Sequence, residues 1–168
     1  MQDTLIVQNY GVFWERAHLD AGSKGPGNRG TLNGFRRRDK NAVDFRRQRG
    51  IYVLYEGLDI ASQRVAYVGQ TGSGEQRLLR RLHHHERDHL WNRWQRFSWL
   101  GFLPVSAEHQ LDEIPTSGFE VGLSTALDQL ESTLIQLLEP LLNKQGPKWH
   151  GAKQYFQVPI EADEKDDA

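Results

Sequence analysis

Gly50-Ile51-Tyr52-Val53-Leu54-Tyr55 and, after a turn, Arg64-Val65-Ala66-Tyr67-Val68-Gly69 are the stretches whose reading decides the fold. Both are short, rich in β-branched and aromatic residues and bounded by glycine or polar turn residues, which is strand composition rather than helix composition. Gly57, Asp59 and Ser62 lie between them, so an antiparallel hairpin with a long turn is expected. Thr71-Gly72-Ser73-Gly74 then interrupts the chain. Ser73 with Gln76 fits the S-x-x-Q capping box, which opens a helix expected to run to about Leu90. Phe97 to Val105 is a third strand candidate. Ser124 or Thr125 caps a second expected helix, to about Leu142, which Pro140 kinks or shortens. Tyr155 to Ile160 reads as a short strand or extended segment.

Outside this region, residues 1 to 20 carry Leu5, Ile6, Val7, Phe13 and Trp14 and are expected to pack on the main body. Ala21 to Gly34 holds five glycines and a proline and reads as loop or arm. The 168 residues suffice for one domain with a moderate core. No apolar run approaches the ~18 residues of a membrane span. No signal-peptide pattern follows Met1, since Gln2, Asp3 and Thr4 are polar and Leu5-Ile6-Val7 is too short for an h-region. The chain has no cysteine, which excludes disulfides, thiolate zinc sites and cysteine nucleophiles and is compatible with the expected cytoplasmic location.

The formal net charge of −1 hides an asymmetry. Eight basic residues fall between Arg29 and Arg49 (Arg29, Arg36, Arg37, Arg38, Lys40, Arg46, Arg47 and Arg49), against the two acids Asp39 and Asp44. Such a segment can neutralise nucleic-acid phosphates, and Arg36, Arg37, Arg38, Lys40, Arg46 and Arg47 are the candidate DNA contacts; a solvated loop paired with acids elsewhere is the plainer reading. Trp91 and Trp94, beside Arg93 and Arg96, are further candidates to touch DNA, whereas Phe97 and Trp99 share a strand face and are expected in the core. Glu161 to Ala168 carries five acids and one lysine and reads as a solvated tail.

The two expected helices carry the chemistry. With Leu127 set at zero on a helical wheel, Leu130, Leu134, Leu137, Leu138 and Leu141 fall in one apolar sector, and Glu131 falls inside it at about 40°. Gln129, Ser132, Thr133 and Gln136 fall outside it. A carboxylate aimed at the core is costly unless it meets an arginine or a cation. On the first helix Arg77, Arg81 and His85 recur at i, i+4 and i+8, a stripe able to grip an anion or merely to face solvent. His85-Glu86-Arg87-Asp88-His89 also spells H-E-x-x-H, the zinc-peptidase pattern. Its extended form would need Gly and His where Asn92 and Gln95 stand, and Arg80 and Arg81 disfavour a nearby divalent cation, so this is a distant third reading.

Gly50-Ile51-Tyr52 followed by Tyr67-Val68-Gly69 resembles the two-part signature of the GIY-YIG endonuclease superfamily, with valine for the middle isoleucine. Arg81-Leu82-His83-His84-His85 is similar to its R-L-x-x-H element, and Glu131 with Pro140-Leu141-Leu142-Asn143 to its later glutamate and asparagine. The family's usual spacing selects Arg77 as the main arginine; the R-L-x-x-H pattern selects Arg81 with His85 and is preferred because it gives the arginine its histidine partner. The resemblance spans residues 49 to 145. It divides the chain into an N-terminal extension with a basic, Gly-rich arm (1–48), a nuclease domain (49–145) and a C-terminal extension with an acidic tail (146–168).

What the resemblance implies is an α+β fold, a small three-stranded, mainly antiparallel sheet flanked by helices, and metal-dependent hydrolysis of DNA phosphodiesters. Glu131 would hold Mg²⁺, with Mn²⁺ as a possible substitute. Tyr52, Tyr67, Arg81 and His85 would complete the catalytic set, supported by Arg77 and Asn143. The partner expected is double-stranded DNA, with no membrane. A non-catalytic DNA-binding or interaction module on the same scaffold is the main alternative.

Overall fold

The structure, a computed structural model, describes residues 6–19, 32–71, 77–112, 129, 132, 133, 136 and 151–159. In chain order the strands are β1 (Asn9–Glu15), β2 (Asn33–Arg36), β3 (Asp39–Asp44), β4 (Gly50–Glu56), β5 (Arg64–Gln70), β6 (Arg96–Gly101), β7 (Lys153–Gln154) and β8 (Phe156–Gln157); helix α1 (Leu78–His84) lies between β5 and β6.

The expected small three-stranded sheet flanked by helices is not what forms. Strands dominate the described residues, in a five-stranded mixed sheet of order β5-β4-β6-β1-β7 and a second, three-stranded sheet of order β3-β2-β8. The antiparallel set β5-β4-β6 matches the expected hairpin and third strand. The difference comes from both ends of the chain. β1 pairs antiparallel with β6, and β7 adds to it in parallel. The glycine- and arginine-rich region supplies β2 and β3, a tight hairpin turning at Arg37 and Arg38, and β8 pairs with β2.

Pairing partners, rather than local composition, make these additional strands. The register of β1 against β6 shifts between Gly11 and Trp14, and Phe13 has a positive φ of 54°. That bulge breaks the alternation by which a strand is read from sequence. β3 is largely exposed, but Val43 and the following Phe45 are buried and tie it to the core.

β4 lies between β5 and β6 in the main sheet, and its two faces serve different clusters. Tyr52 and Leu54 face α1, in register with Trp99 and Phe97 of β6. Phe97, Trp99, Trp14, Phe45, Trp94 and the α1 residues Leu78, Leu79 and Leu82 make the larger core. Val53 and Tyr55 join Val7 and Leu100 on the other face. Gln129, Ser132, Thr133 and Gln136 are helical. Gln129 is buried despite lying off the leucine sector, because its Oε1 accepts from the backbone N–H groups of Ile6 and Val7 at 3.0 Å each.

α1 is shorter than expected. It ends at His84 instead of about Leu90, and 85–88 continue as turns. Its first N–H groups are satisfied by backbone: Leu78 donates to the Gln48 carbonyl at 3.0 Å and Leu79 to that of Arg46 at 3.2 Å. The Ser73–Gln76 capping box lies outside the described residues. β6 likewise stops at Gly101 rather than Val105, opposite the first residue of β4.

Gly50 opens β4 because nothing else fits. Its φ is 151°, and a Cβ there would be driven into the Leu100 carbonyl oxygen of β6. Gly50→Ala is therefore expected to lower unfolding stability by at least about 2 kcal/mol through backbone strain and loss of β4–β6 pairing. A denaturant titration checks this; a midpoint unchanged from wild type would contradict it.

Candidate active site

Tyr52, Tyr67, Arg81 and His85 come together where the β4–β5 hairpin meets the C-terminal end of α1. Tyr52 stands opposite Gly69 of β5 in the ladder, and Tyr67 stands opposite Leu54. A side chain at position 69 would collide with the Tyr52 hydroxyl and would lie 2.7 Å from the Tyr67 ring, so the glycine makes the space into which the hydroxyl points. The two tyrosine rings lie 6.2 Å apart, and the His85 ring is 4.7 Å from Tyr67.

His85 is buried at the last turn of α1, placed by the packing of Leu78, Leu79 and Leu82 under the sheet. Its Nε2 is 2.7 Å from the Tyr52 hydroxyl, and its Nδ1 is 2.7 Å from Oδ2 of Asp88. Asp88 is fixed in turn, since its Oδ1 accepts from the Leu90 backbone N–H at 2.8 Å. Three side chains thus form a chain from sheet to loop. Burial pulls the His85 imidazole below its usual pKa, against the opposing hydrogen bond to the Asp88 carboxylate. Burial also raises the Tyr52 hydroxyl above the usual phenol value, with Arg81 pulling the other way. For Asp88, burial alone would raise the pKa, but the Leu90 N–H and His85 outweigh it and hold the carboxyl below the usual range. The resting state is accordingly a neutral phenol, a neutral imidazole and an ionised carboxylate.

Arg81 lies one helical turn before His85, and its guanidinium interacts with the Tyr52 hydroxyl. Its Nε is buried and, among the described residues, meets no acceptor. A buried N–H without a partner costs free energy until an acceptor arrives, and an oxyanion is the natural one for a guanidinium. Arg77 is the residue immediately before α1, one turn further from the cluster.

No family model, curated protein or solved structure matches the chain. The site therefore has to be judged on its own geometry.

That geometry does not supply the H-E-x-x-H arrangement. α1 ends before His85, so His85 and His89 do not share a helical turn, and both ring nitrogens of His85 are engaged. Glu86 instead holds His83 at 2.8 Å and Arg16 at 3.5 Å, tying the segment after β1 to the end of α1. Arg16 also stacks over Trp94, 4.8 Å from the ring centroid. Trp94 is a core residue rather than a surface contact, while Trp91 is exposed. Glu131 and Asn143 lie outside the described residues.

The basic segment is folded into the second sheet and its flank. Arg36 pairs with Asp39 at 3.4 Å, and Arg46 with Asp44 at 2.7 Å. Lys40 sits over Phe35 and Arg37 over Phe156, at 4.6 and 5.9 Å from the ring centroids. Arg37, Arg38, Lys40, Arg46 and Arg47 are exposed.

Asp88 is a site residue that the sequence reading does not single out; there it stands only as a variable position of the H-E-x-x-H string. The available signal was its i, i+3 spacing from His85.

A histidine buried neutral must be charged as pH falls, and its folded pKa lies below the unfolded value of about 6.5. Its contribution is complete above that unfolded value and declines as pH drops below it, because the unfolded chain takes the proton first. Thermal unfolding of wild type and His85→Gln between about pH 7.5 and 5 checks this. Wild type should lose more stability on acidification than the variant; parallel curves would contradict it.

Proposed function

We propose that the protein is a metal-dependent endonuclease that hydrolyses DNA phosphodiester bonds, as its resemblance to the GIY-YIG superfamily implies. The observation that supports this most is the 2.7 Å hydrogen bond between the Tyr52 hydroxyl and His85 Nε2, beside the buried Arg81 Nε that meets no acceptor among the described residues. Together they offer a route for a proton and a place for an oxyanion.

In this reading Arg81 donates to a non-bridging oxygen of the scissile phosphate and opposes the charge that grows there during attack. Water attacks phosphorus in line with the departing 3′ oxygen. Tyr52 takes the proton of that water while passing its own to His85 Nε2. A phenol whose pKa is raised by burial is a poor base alone, so handing on its proton is what makes it useful. Tyr67, on the neighbouring strand, orients water or phosphate, and Arg77 adds an outer phosphate contact.

Among the described residues, the cluster fits an anion better than a cation. The carboxylate touching the cluster, Asp88, has both oxygens engaged. The resemblance makes Glu131 the residue that would hold Mg²⁺, or Mn²⁺ in its place, with Asn143 in a supporting role. When bound, such an ion supplies Lewis-acid stabilisation of the phosphate and the leaving oxygen. The exposed Arg37, Arg38, Lys40, Arg46 and Arg47, with Arg36, give the double-stranded substrate its backbone contacts. No helix among the described residues is long and apolar enough to cross a membrane; a cytoplasmic location remains part of the proposal.

Supercoiled plasmid should be cut with Mg²⁺ and left intact with EDTA. Arg81→Ala and Glu131→Ala should each lower the cleavage rate by a factor on the order of 10² to 10³, the usual loss for an electrostatic stabiliser of the transition state. Binding without cutting by wild type would favour a non-catalytic module, and casein cleavage blocked by a zinc chelator would overturn the reading. Exchanging Arg37 and Arg38 together for alanine should also make DNA affinity less salt-dependent. The slope of log K against log salt should fall by about 2, one unit for each lost phosphate contact; an unchanged slope would remove the β2–β3 turn from the interface.

A further inference from the structure

The Tyr52–His85 hydrogen bond serves proton transfer only if the imidazole carries its proton on the far nitrogen. With Nδ1 protonated, Nε2 presents a lone pair to the Tyr52 hydroxyl. With Nε2 protonated, the same contact survives with its direction reversed, and His85 has nowhere to put the tyrosine proton. Which tautomer is present is set by the partner of the other nitrogen.

Asp88 is that partner. An ionised carboxylate has no proton to donate, so Nδ1, 2.7 Å from Oδ2, must be the donor. The carboxylate cannot swing away, because its other oxygen accepts from the Leu90 N–H at 2.8 Å. His85 is buried, and its backbone carbonyl accepts from the Trp94 indole N–H at 3.5 Å. We infer that Asp88 is a positioning residue for strand cleavage: it locks His85 in the Nδ1–H tautomer, so that Nε2 accepts the Tyr52 proton as water attacks. This rests on the nuclease reading above. The transfer balances: water's proton goes to the Tyr52 oxygen, the tyrosine proton goes to Nε2, and the imidazolium formed is compensated by the Asp88 carboxylate without a second transfer to it.

Asp88→Asn separates this role from mere support of the loop. The amide has one acceptor and one donor end where the carboxylate has two acceptors. The backbone N–H of Leu90 cannot change its character, so it claims the amide oxygen. The NH₂ group then faces Nδ1, which must become the acceptor, and the proton moves to Nε2. The loop keeps its anchor while the imidazole is left in the wrong tautomer. In Asp88→Ala both partners are lost, but His85 still samples the useful tautomer. A loop-support role ranks alanine as the more damaging change, whereas tautomer control ranks asparagine first.

The test combines single-turnover plasmid cleavage in Mg²⁺ with ¹⁵N NMR of the histidine side chains, the His85 signals being assigned by their loss in His85→Gln. Expected are Nδ1–H in wild type and Nε2–H in Asp88→Asn. The cleavage rate should fall about a hundred-fold or more in Asp88→Asn, given that the analogous wrong-tautomer change in a serine protease costs about 10⁴. Asp88→Ala should fall by about tenfold, and DNA affinity should hold in both. Equal rates for Asp88→Asn and wild type, or a slower Asp88→Ala, would overturn the inference while leaving the nuclease reading intact. A wild type that shows Nδ1–H but never cuts DNA would sink the nuclease reading, and the catalytic role of Asp88 with it.

Discussion

The hydrogen bond between Tyr52 and His85 ties a strand of the main sheet to the end of the helix packed against it. Tyr52 belongs to β4, the strand between β5 and β6, while His85 follows the last residue of α1. The contact is short, at 2.7 Å, and both residues are buried, so it costs free energy to leave unmade. Much of the local structure serves it. Gly69 leaves room for the hydroxyl, and the three leucines of α1 set the helix against the sheet. The backbone carbonyls of Arg46 and Gln48 hold the start of α1. Glu86 and Arg16 secure its far end against the segment that follows β1.

Burial has opposite uses within this small cluster. It raises the Tyr52 pKa and lowers that of His85, so both groups rest in their neutral forms. Neutral partners can pass a proton without separating charge at rest. Charge appears only on transfer, and Asp88 and Arg81 are the groups placed to meet it, one beside the imidazole and one beside the hydroxyl. Arg81 has a further meaning, because its Nε is buried without an acceptor among the described residues. A charge-assisted hydrogen bond left unmade is an invitation to an anion, and phosphate fits the planar guanidinium better than a chloride or a lone carbonyl would.

The parts of this arrangement that sequence reveals are those governed by local chemistry. The glycine-bracketed strands β4 and β5 were legible because β-branched and aromatic residues crowd them, and the Arg81–His85 pairing follows from one helical turn. β1 was not legible as a strand because its bulge at Gly11 to Trp14 breaks the alternation. β2 and β3 were hidden by glycine and arginine, residues that suggest an arm until Val43 and Phe45 are seen to reach the core. The early end of α1 has no glycine or proline to announce it. It follows from Asp88 turning back to His85 and Leu90, and that same turn is why Asp88 escaped notice as a site residue. Non-local pairing built the larger sheet, and pairing of that kind leaves little trace in a single sequence.

The most direct measurement of the central claim is the single-turnover rate of Mg²⁺-dependent DNA cleavage by Tyr52→Phe. The substitution deletes one oxygen, the atom bonded to His85, and keeps the ring that packs with Tyr67. The account predicts DNA binding equal to wild type and a cleavage rate lower by about two orders of magnitude or more, the loss expected on removing a general base. Cleavage at the wild-type rate would contradict it, because the hydroxyl around which the site is built would then play no part in the chemistry.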